Sequence, residues 1–259
     1  MPAHKIKLTE PSSFDKYAHE YDQLTNASAR EKYHSKEVQS LIDDFAPSFV
    51  IDAGCGAGLT SMLLAKTGVK TVGLDRETKM IATSRKKYDK LNFPLKFMRG
   101  SFEAPPKSLS GKADLLICLA NGVSGLGTVA NLKRGLKGFY RCLKPGGVVL
   151  IQMLNYGSIP EGRIMPIRAT EADGIIYLRY ARRIGRRYSL HIVRVDNSKQ
   201  PPTFEPFCHD FDNFSPTELV RTARQVGFER LGRFADIERK RKFDRSARDL
   251  VLVGRKPQR

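Results

Sequence analysis

The sequence predicts an α/β fold: a seven-stranded, mostly parallel sheet with helices on both faces, plus a small antiparallel sheet inserted late in the chain. Three observations predict it. Between Phe49 and Met153, short apolar runs alternate with helical patterns, the β-α-β order that builds a parallel sheet. Across residues 163–209 helical periodicity gives way to alternation of apolar and polar residues. The run Phe49-Val50-Ile51-Asp52 passes straight into glycines at 54, 56 and 58 and then into a helical stretch from Leu59 to Lys66. Such a strand–turn–helix unit lets a ligand approach the backbone closely and offers it the positive end of a helix dipole.

The elements follow in order. Residues 1–12 are polar with two prolines and read as a loose arm. Phe14, Tyr17, Tyr21 and Leu24 recur at helical spacing, and a second helix is expected from Ala29 to Phe45, stopped by Pro47. After the glycine turn, strands are expected at Lys70–Leu74, Leu95–Met98, Asp114–Leu119 and Val148–Met153, with helices at Glu77–Lys90 and Asn131–Leu143. Lys144-Pro145-Gly146-Gly147 reads as a turn. Arg163–Thr170, Gly174–Arg182, Tyr188–Val195 and Phe204–His209 read as the inserted strands, with turns at Gly185 and Asp196-Asn197. Ser215-Pro216-Thr217-Glu218 opens a helix that Gly227 closes, and Phe228–Phe234 and Asp249–Val253 supply the last two strands. The organisation expected is a helical cap over 1–46, a ligand-binding domain of 47–157 and 210–259, and an inserted lid over 158–209.

Composition narrows the class. The chain has 259 residues, 41% of them hydrophobic, enough for one sizeable core. No run approaches the roughly 20 apolar residues of a membrane span. No apolar stretch follows the N-terminal residues, so a cytoplasmic protein without a signal peptide is expected. Cys55, Cys118, Cys142 and Cys208 form no C-x-x-C pair, so free thiols and no metal site are expected. The net charge is +18, of which +4 falls in residues 1–120 and +14 in the remainder. That basic second half leaves an anionic partner such as RNA open.

Four features together resemble class I S-adenosylmethionine-dependent methyltransferases, a Rossmann-like family. They are Asp52-Ala53-Gly54-Cys55-Gly56-Ala57-Gly58, then Asp75 closing the second strand, then Gly100-Ser101-Phe102-Glu103, then Leu143-Lys144-Pro145-Gly146-Gly147. Asp75 lies 21 residues after Gly54, where a carboxylate can accept both hydroxyls of a ribose. The turn is G-x-G-x-G, not the G-x-G-x-x-G that cradles a pyrophosphate, which argues against a dinucleotide. The resemblance implies S-adenosyl-L-methionine as cofactor, with S-adenosyl-L-homocysteine as product. It implies cofactor contacts from Asp52, Ala53, Gly54, Gly56, Gly58, Asp75 and Arg76, from Ser101 and Phe102 along the adenine, from Leu119 near the methionine part, and from Tyr21 and Arg30 at its carboxylate.

The acceptor is expected at the ends of the fourth and fifth strands. Cys118-Leu119-Ala120-Asn121-Gly122 and Asn155-Tyr156 resemble runs in the glycine and sarcosine N-methyltransferases and their small-molecule relatives. That resemblance implies substrate contacts from Asn121, Asn155 and Tyr156. Leu154 stands where those enzymes carry an arginine for the substrate carboxylate, which argues against free glycine. Tyr156 and His209 are the candidate catalytic residues, the histidine as a base beside the acceptor. The expected activity is methyl transfer to a small molecule, at nitrogen. Two alternatives stay open: an RNA or protein methyltransferase using Arg179, Arg182, Arg183, Arg186 and Arg187 with the run Arg239–Arg245, and a non-catalytic cofactor-binding protein. The inserted sheet is a candidate homodimer contact.

Overall fold

The computed structural model describes residues 13–184, 187–212 and 214–258. The expected arm over residues 1–12, the turn at Gly185 and the side chains of Arg186 and Arg187 lie outside the described residues.

The N-terminal segment is broken rather than continuous. Helix α1 (Ser13–Lys16) and helix α2 (Tyr21–Thr25) are separated by a 3-10 turn at Ala18–Glu20. Single turns of helix keep aromatic side chains at the same spacing as one long helix, so the sequence pattern could not distinguish them. Asn26, in a left-handed conformation at φ 54°, caps the next helix by accepting from Ala29 N, and α3 therefore starts at Ala27 and runs to Phe45.

The main sheet alternates as expected: β1 (Phe49–Ala53), α4 (Leu59–Lys66), β2 (Lys70–Asp75), α5 (Thr78–Tyr88), β3 (Leu95–Arg99), β4 (Ala113–Cys118), α6 (Val129–Cys142) and β5 (Leu143–Leu154). Lys144-Pro145-Gly146-Gly147 is not a separate turn. It is the first, irregular part of β5, where the pairing with β4 shifts register and Gly146 takes φ 77°. After the insertion come α7 (Pro216–Val226), β10 (Glu229–Phe234) and β11 (Asp249–Arg255). Ser215 and Glu218 form the capping box that the sequence announces at the start of α7.

The sheet order is β10-β11-β5-β4-β1-β2-β3, with β1 to β5 parallel and β11 antiparallel to both its neighbours. The chain runs outward from β1 to β3 and then returns to β4, so the sheet splits its direction between β1 and β4. Ligands bind such sheets at this point, beyond the carboxyl ends of the strands. Both faces are covered. Ile51, Leu116 and Ile151 pack under α6 and α7 through Leu132, Leu136, Phe139 and Leu219. Val50, Leu115, Ile117 and Leu150 pack under α3 and α4 through Leu41, Leu63 and Leu64.

The inserted strands form a separate antiparallel sheet in simple order: β6 (Ile164–Ala172), β7 (Ile175–Ile184), β8 (Arg187–Asp196) and β9 (Thr203–Asp212). β9 runs beyond His209, the end expected from sequence. This sheet lies over the N-terminal segment. Arg194 on β8 grips the carboxylate of Glu20 with two N–H groups at 3.0 and 3.1 Å, and Tyr177 on β7 donates its hydroxyl to the same group. Leu24 packs with Tyr177 and Ile192, and Tyr17 stacks on Phe207.

Candidate active site

Two connected pockets open beyond the carboxyl ends of β1, β4 and β5. The smaller, about 210 Å³, begins at the glycine turn. Gly54 N and Cys55 N both donate to Leu74 O, at 2.7 and 3.1 Å, folding the turn back over the end of β2. Gly56 N then donates to one oxygen of Asp75 and Glu77 N to the other, both at 2.9 Å. The Asp75 carboxylate is thereby fixed at the pocket wall, with each oxygen committed to one N–H. Burial pushes its pKa upward, against those two backbone bonds. Gly54 sits at φ 80°, and a Cβ there would lie 3.1 Å from the Phe102 ring, so glycine lets that ring close over the turn. Ser124 Oγ, also lining this pocket, is buried and has no hydrogen-bond partner among the described residues.

The larger chamber, about 520 Å³, lies between the N-terminal helices, the ends of β4 and β5, the inserted sheet and the segment before β11. Phe14, Tyr21, Ala120, Asn121, Tyr156 and Leu190 line both spaces and form the neck between them. Asn121 holds a left-handed backbone at φ 66° and accepts from Leu154 N, joining the end of β4 to the end of β5. Burial raises the Tyr156 hydroxyl well above the ordinary tyrosine range, so it stays protonated at neutral pH. Gln152 accepts from Ala120 N and donates to Asp249, bracing the same floor.

The structure divides the expected site residues. Gly54, Gly56, Asp75, Arg76 and Phe102 line the smaller pocket, and Tyr21, Asn121 and Tyr156 line both. Leu119 and Arg30 line the larger chamber only. Asp52, Ala53, Gly58 and Ser101 line neither. Asp52 is buried under the turn, accepts from Ser61 Oγ at 2.6 Å, and is raised by burial to a pKa of about 6. Gly58 is required by packing, since a Cβ there would meet the Phe97 ring at 2.7 Å. Ser101 Oγ is turned to its own loop, accepting from Ala104 N.

Asn155 and His209 stand away from where an acceptor group would be sought. Asn155 is buried and donates through Nδ2 to the carbonyls of Arg245 and Ala247, pinning the segment before β11. It lines neither pocket, because its place after β5 points it at that segment and not at the neck. His209 lies edge-on to Phe14 on the smaller pocket, not in the larger chamber. Burial, then the nearby Arg76, lowers its pKa, so the ring is neutral near pH 7.

Several lining residues were not among the expected site residues. Phe14 lines both spaces, Met80, Glu103 and Ser124 the smaller pocket, and Arg168, Arg179 and Asp249 the larger. Ser124 could have been found from Asn121, since Asn121 starts the short 3-10 turn Gly122–Leu126 that carries Ser124 into the same wall. Much of the basic run before β11 is engaged within the protein: Arg239 with Asp44 on α3, Lys240 with Glu238 and Arg241 with Asp236. Among the described residues no group of three His, Cys, Asp or Glu could hold a metal ion, and no helix is long and apolar enough to cross a membrane.

Residues 50–147 match the family model described as a methyltransferase domain. The chain is 26% identical over 257 residues to a glycine/sarcosine/dimethylglycine N-methyltransferase of Actinopolyspora halophila, covering 92% of this chain and 44% of that protein. It spans about half the length of the curated relatives it matches. Among solved structures, the CcbJ methyltransferase of Streptomyces caelestis superposes with a TM-score of 0.74 at 21% identity, covering 86% of this chain and 94% of that one. The sugar N-methyltransferase KedS8 of Streptoalloteichus sp. superposes with a TM-score of 0.70 at 16% identity, covering 99% of each chain. Residues 50–147 are thus matched as a methyltransferase domain, and the glycine turn, Asp75 and the sheet order support the class I S-adenosylmethionine-dependent type.

Proposed function

We propose that the protein transfers a methyl group from S-adenosylmethionine to a nitrogen of a small-molecule acceptor. The observation that carries this reading is the neck: one pocket built from the cofactor motifs meets a second, larger chamber through six shared residues, three at the ends of β4 and β5 and three from α1, α2 and β8. The smaller pocket fits the cofactor. Asp75 is fixed by two backbone bonds and has acceptor capacity left on each oxygen for a ribose hydroxyl, and the unpartnered Ser124 hydroxyl offers a further polar contact. Gly54 and Gly56 supply the close backbone approach, and Phe102 covers a flat ring.

Bound there, S-adenosylmethionine supplies an electrophilic methyl carbon. The protein's part is alignment and exclusion of water, which can lower a barrier by roughly 7–11 kcal/mol at best. Phe14, Tyr21 and Leu190 close the neck. Asn121, which lines both spaces, is held through Oδ1 by Leu154 N and keeps its Nδ2 donors for an acceptor, and the protonated Tyr156 hydroxyl can orient an acceptor amine without taking its proton. In this reading His209 is a wall of the cofactor pocket and not the base, and an amine that arrives neutral requires none. Nitrogen as the target rests on the activity named for the Actinopolyspora relative. The outer face of the inserted sheet, with Leu178 and Phe204 exposed, is where a second copy would meet the chain.

Isothermal titration with S-adenosylhomocysteine tests the reading. Micromolar binding that disappears in Asp75→Ala is expected; absence of binding by the wild-type chain would overturn it.

A further inference from the structure

We infer that the acceptor carries an oxyanion, a carboxylate or a phosphate, which Arg179 and Arg168 take up on the inserted-sheet wall of the larger chamber. This rests on the reading of that chamber as the acceptor site. Arg179 lies on β7 between Tyr177 and Ala181, two buried residues of the inward face, and its Nε is buried with no hydrogen-bond partner among the described residues. Such a donor is costly to bury alone. Arg168 stands directly opposite it on β6. It does so through a bulge: the pairing shifts between Pro166 and Arg168, so Ile167 and Arg168 both line the chamber where regular alternation would have sent one of them outward. Two like charges directly across a sheet destabilise each other, and among the described residues neither is paired with an acid. The chamber's carboxylates are engaged elsewhere: Glu37 with His34, Asp236 with Arg241, and Asp249 with Gln152.

A planar guanidinium with a free fork, and a second one beside it, matches a carboxylate or phosphate held bidentately. The pair comes from β6 and β7 while Leu154 ends β5, so an anion contact at the end of β5 is replaced by one from the inserted sheet. The acceptor is then a small amine whose nucleophilic nitrogen reaches the neck while its oxyanion is anchored some residues away on β6 and β7.

The test follows thermal unfolding of the full chain in phosphate, acetate and chloride at matched ionic strength, with three variants. Phosphate or acetate should raise the midpoint beyond chloride in the wild type. Arg179→Gln should raise the half-saturating concentration by about tenfold, as expected for loss of charge-assisted bonds, and Arg168→Gln should weaken it in the same direction. Arg182→Gln, on the outward face of the same strand, should match the wild type. The stronger of the two anions identifies the group. An anion dependence that is the same in wild type and Arg179→Gln, or that Arg182→Gln weakens equally, overturns the proposal. If Arg179→Gln does not fold, Arg168→Gln, whose side chain is exposed, decides alone. S-adenosylhomocysteine should bind Arg179→Gln as it binds the wild type, and a parallel loss would place Arg179 in the cofactor pocket and overturn the assignment. Failure of the wild type to bind S-adenosylhomocysteine would remove the methyl-transfer reading while leaving the anion result standing.

Discussion

The smaller pocket and the larger chamber meet at one neck, yet they are built in opposite ways. The smaller pocket is a backbone structure: Gly54, Cys55 and Gly56 donate main-chain N–H groups to Leu74 O and Asp75, and glycine conformations bring the chain close to the ligand. The larger chamber is a side-chain structure, its walls supplied by the N-terminal helices, the inserted sheet and the loop before β11. A backbone cradle suits a ligand that is always the same. Side-chain walls can be altered one residue at a time, which suits the partner that distinguishes one enzyme from its relatives.

The largest effect expected from breaking this division is on the cofactor side. Gly56→Arg puts a long side chain on a backbone at φ 53° beside the Tyr21 ring, 3.5 Å from the new Cβ. S-adenosylhomocysteine affinity should fall by about 1,000-fold or more in a calorimetric titration, with circular dichroism showing the fold retained.

Asp52 sharpens the comparison, because it belongs to the cofactor motif but supports it from beneath. Burial raises its pKa in the folded protein to about 6, above the ordinary aspartate value of 3.8. The folded state therefore binds the proton more tightly, and the carboxyl's contribution to stability is fully present below the unfolded value and lost as pH rises through the folded one. Asp52→Asn does not titrate. Its stability relative to the wild type should climb between pH 4 and 6 and level off above, by up to about 3 kcal/mol in urea unfolding; a flat difference would refute the burial argument.

Asn155 tests the other side of the neck. Loss of its two bonds to the Arg245 and Ala247 carbonyls in Asn155→Ala should cost about 2 kcal/mol of stability and leave S-adenosylhomocysteine affinity unchanged. An effect on acceptor KM larger than the effect on stability would return it to the substrate contacts.

The smallest effect is expected at His209. As a wall residue with a lowered pKa, it can be changed to Gln with less than about a threefold loss in kcat/KM. The pH–rate profile should keep its acidic limb, whereas removal of a true general base would abolish it.

Legibility in the sequence follows the same division. The order of strands and helices, the glycine turn, Asp75 and the capping box of α7 were readable because each is a local pattern. So was the switch to antiparallel strands after β5. The interruption between α1 and α2 was not, since Phe14, Tyr17 and Tyr21 keep the same spacing whether or not the helix breaks. The placement of Asn155 and His209 was not legible for a related reason. Their neighbours in sequence belong to the neck or the lid, but the strand end after β5 turns Asn155 toward residues 245–247, and β9 carries His209 to the smaller pocket.

The sequence by itself determined the smaller pocket, because a turn folded back on β2 by its own N–H groups and holding one carboxylate needs only glycines and an aspartate at fixed spacing along two strands. Only the tertiary structure decided the other half. It folded the inserted sheet over the N-terminal helices through Glu20, Tyr177 and Arg194, and it used one bulge at Ile167 to turn Arg168 inward beside Arg179. Those contacts join residues more than 150 positions apart, and a one-residue shift in a strand reverses which face a side chain takes. Neither can be read from local pattern, and together they decide what the chamber can hold.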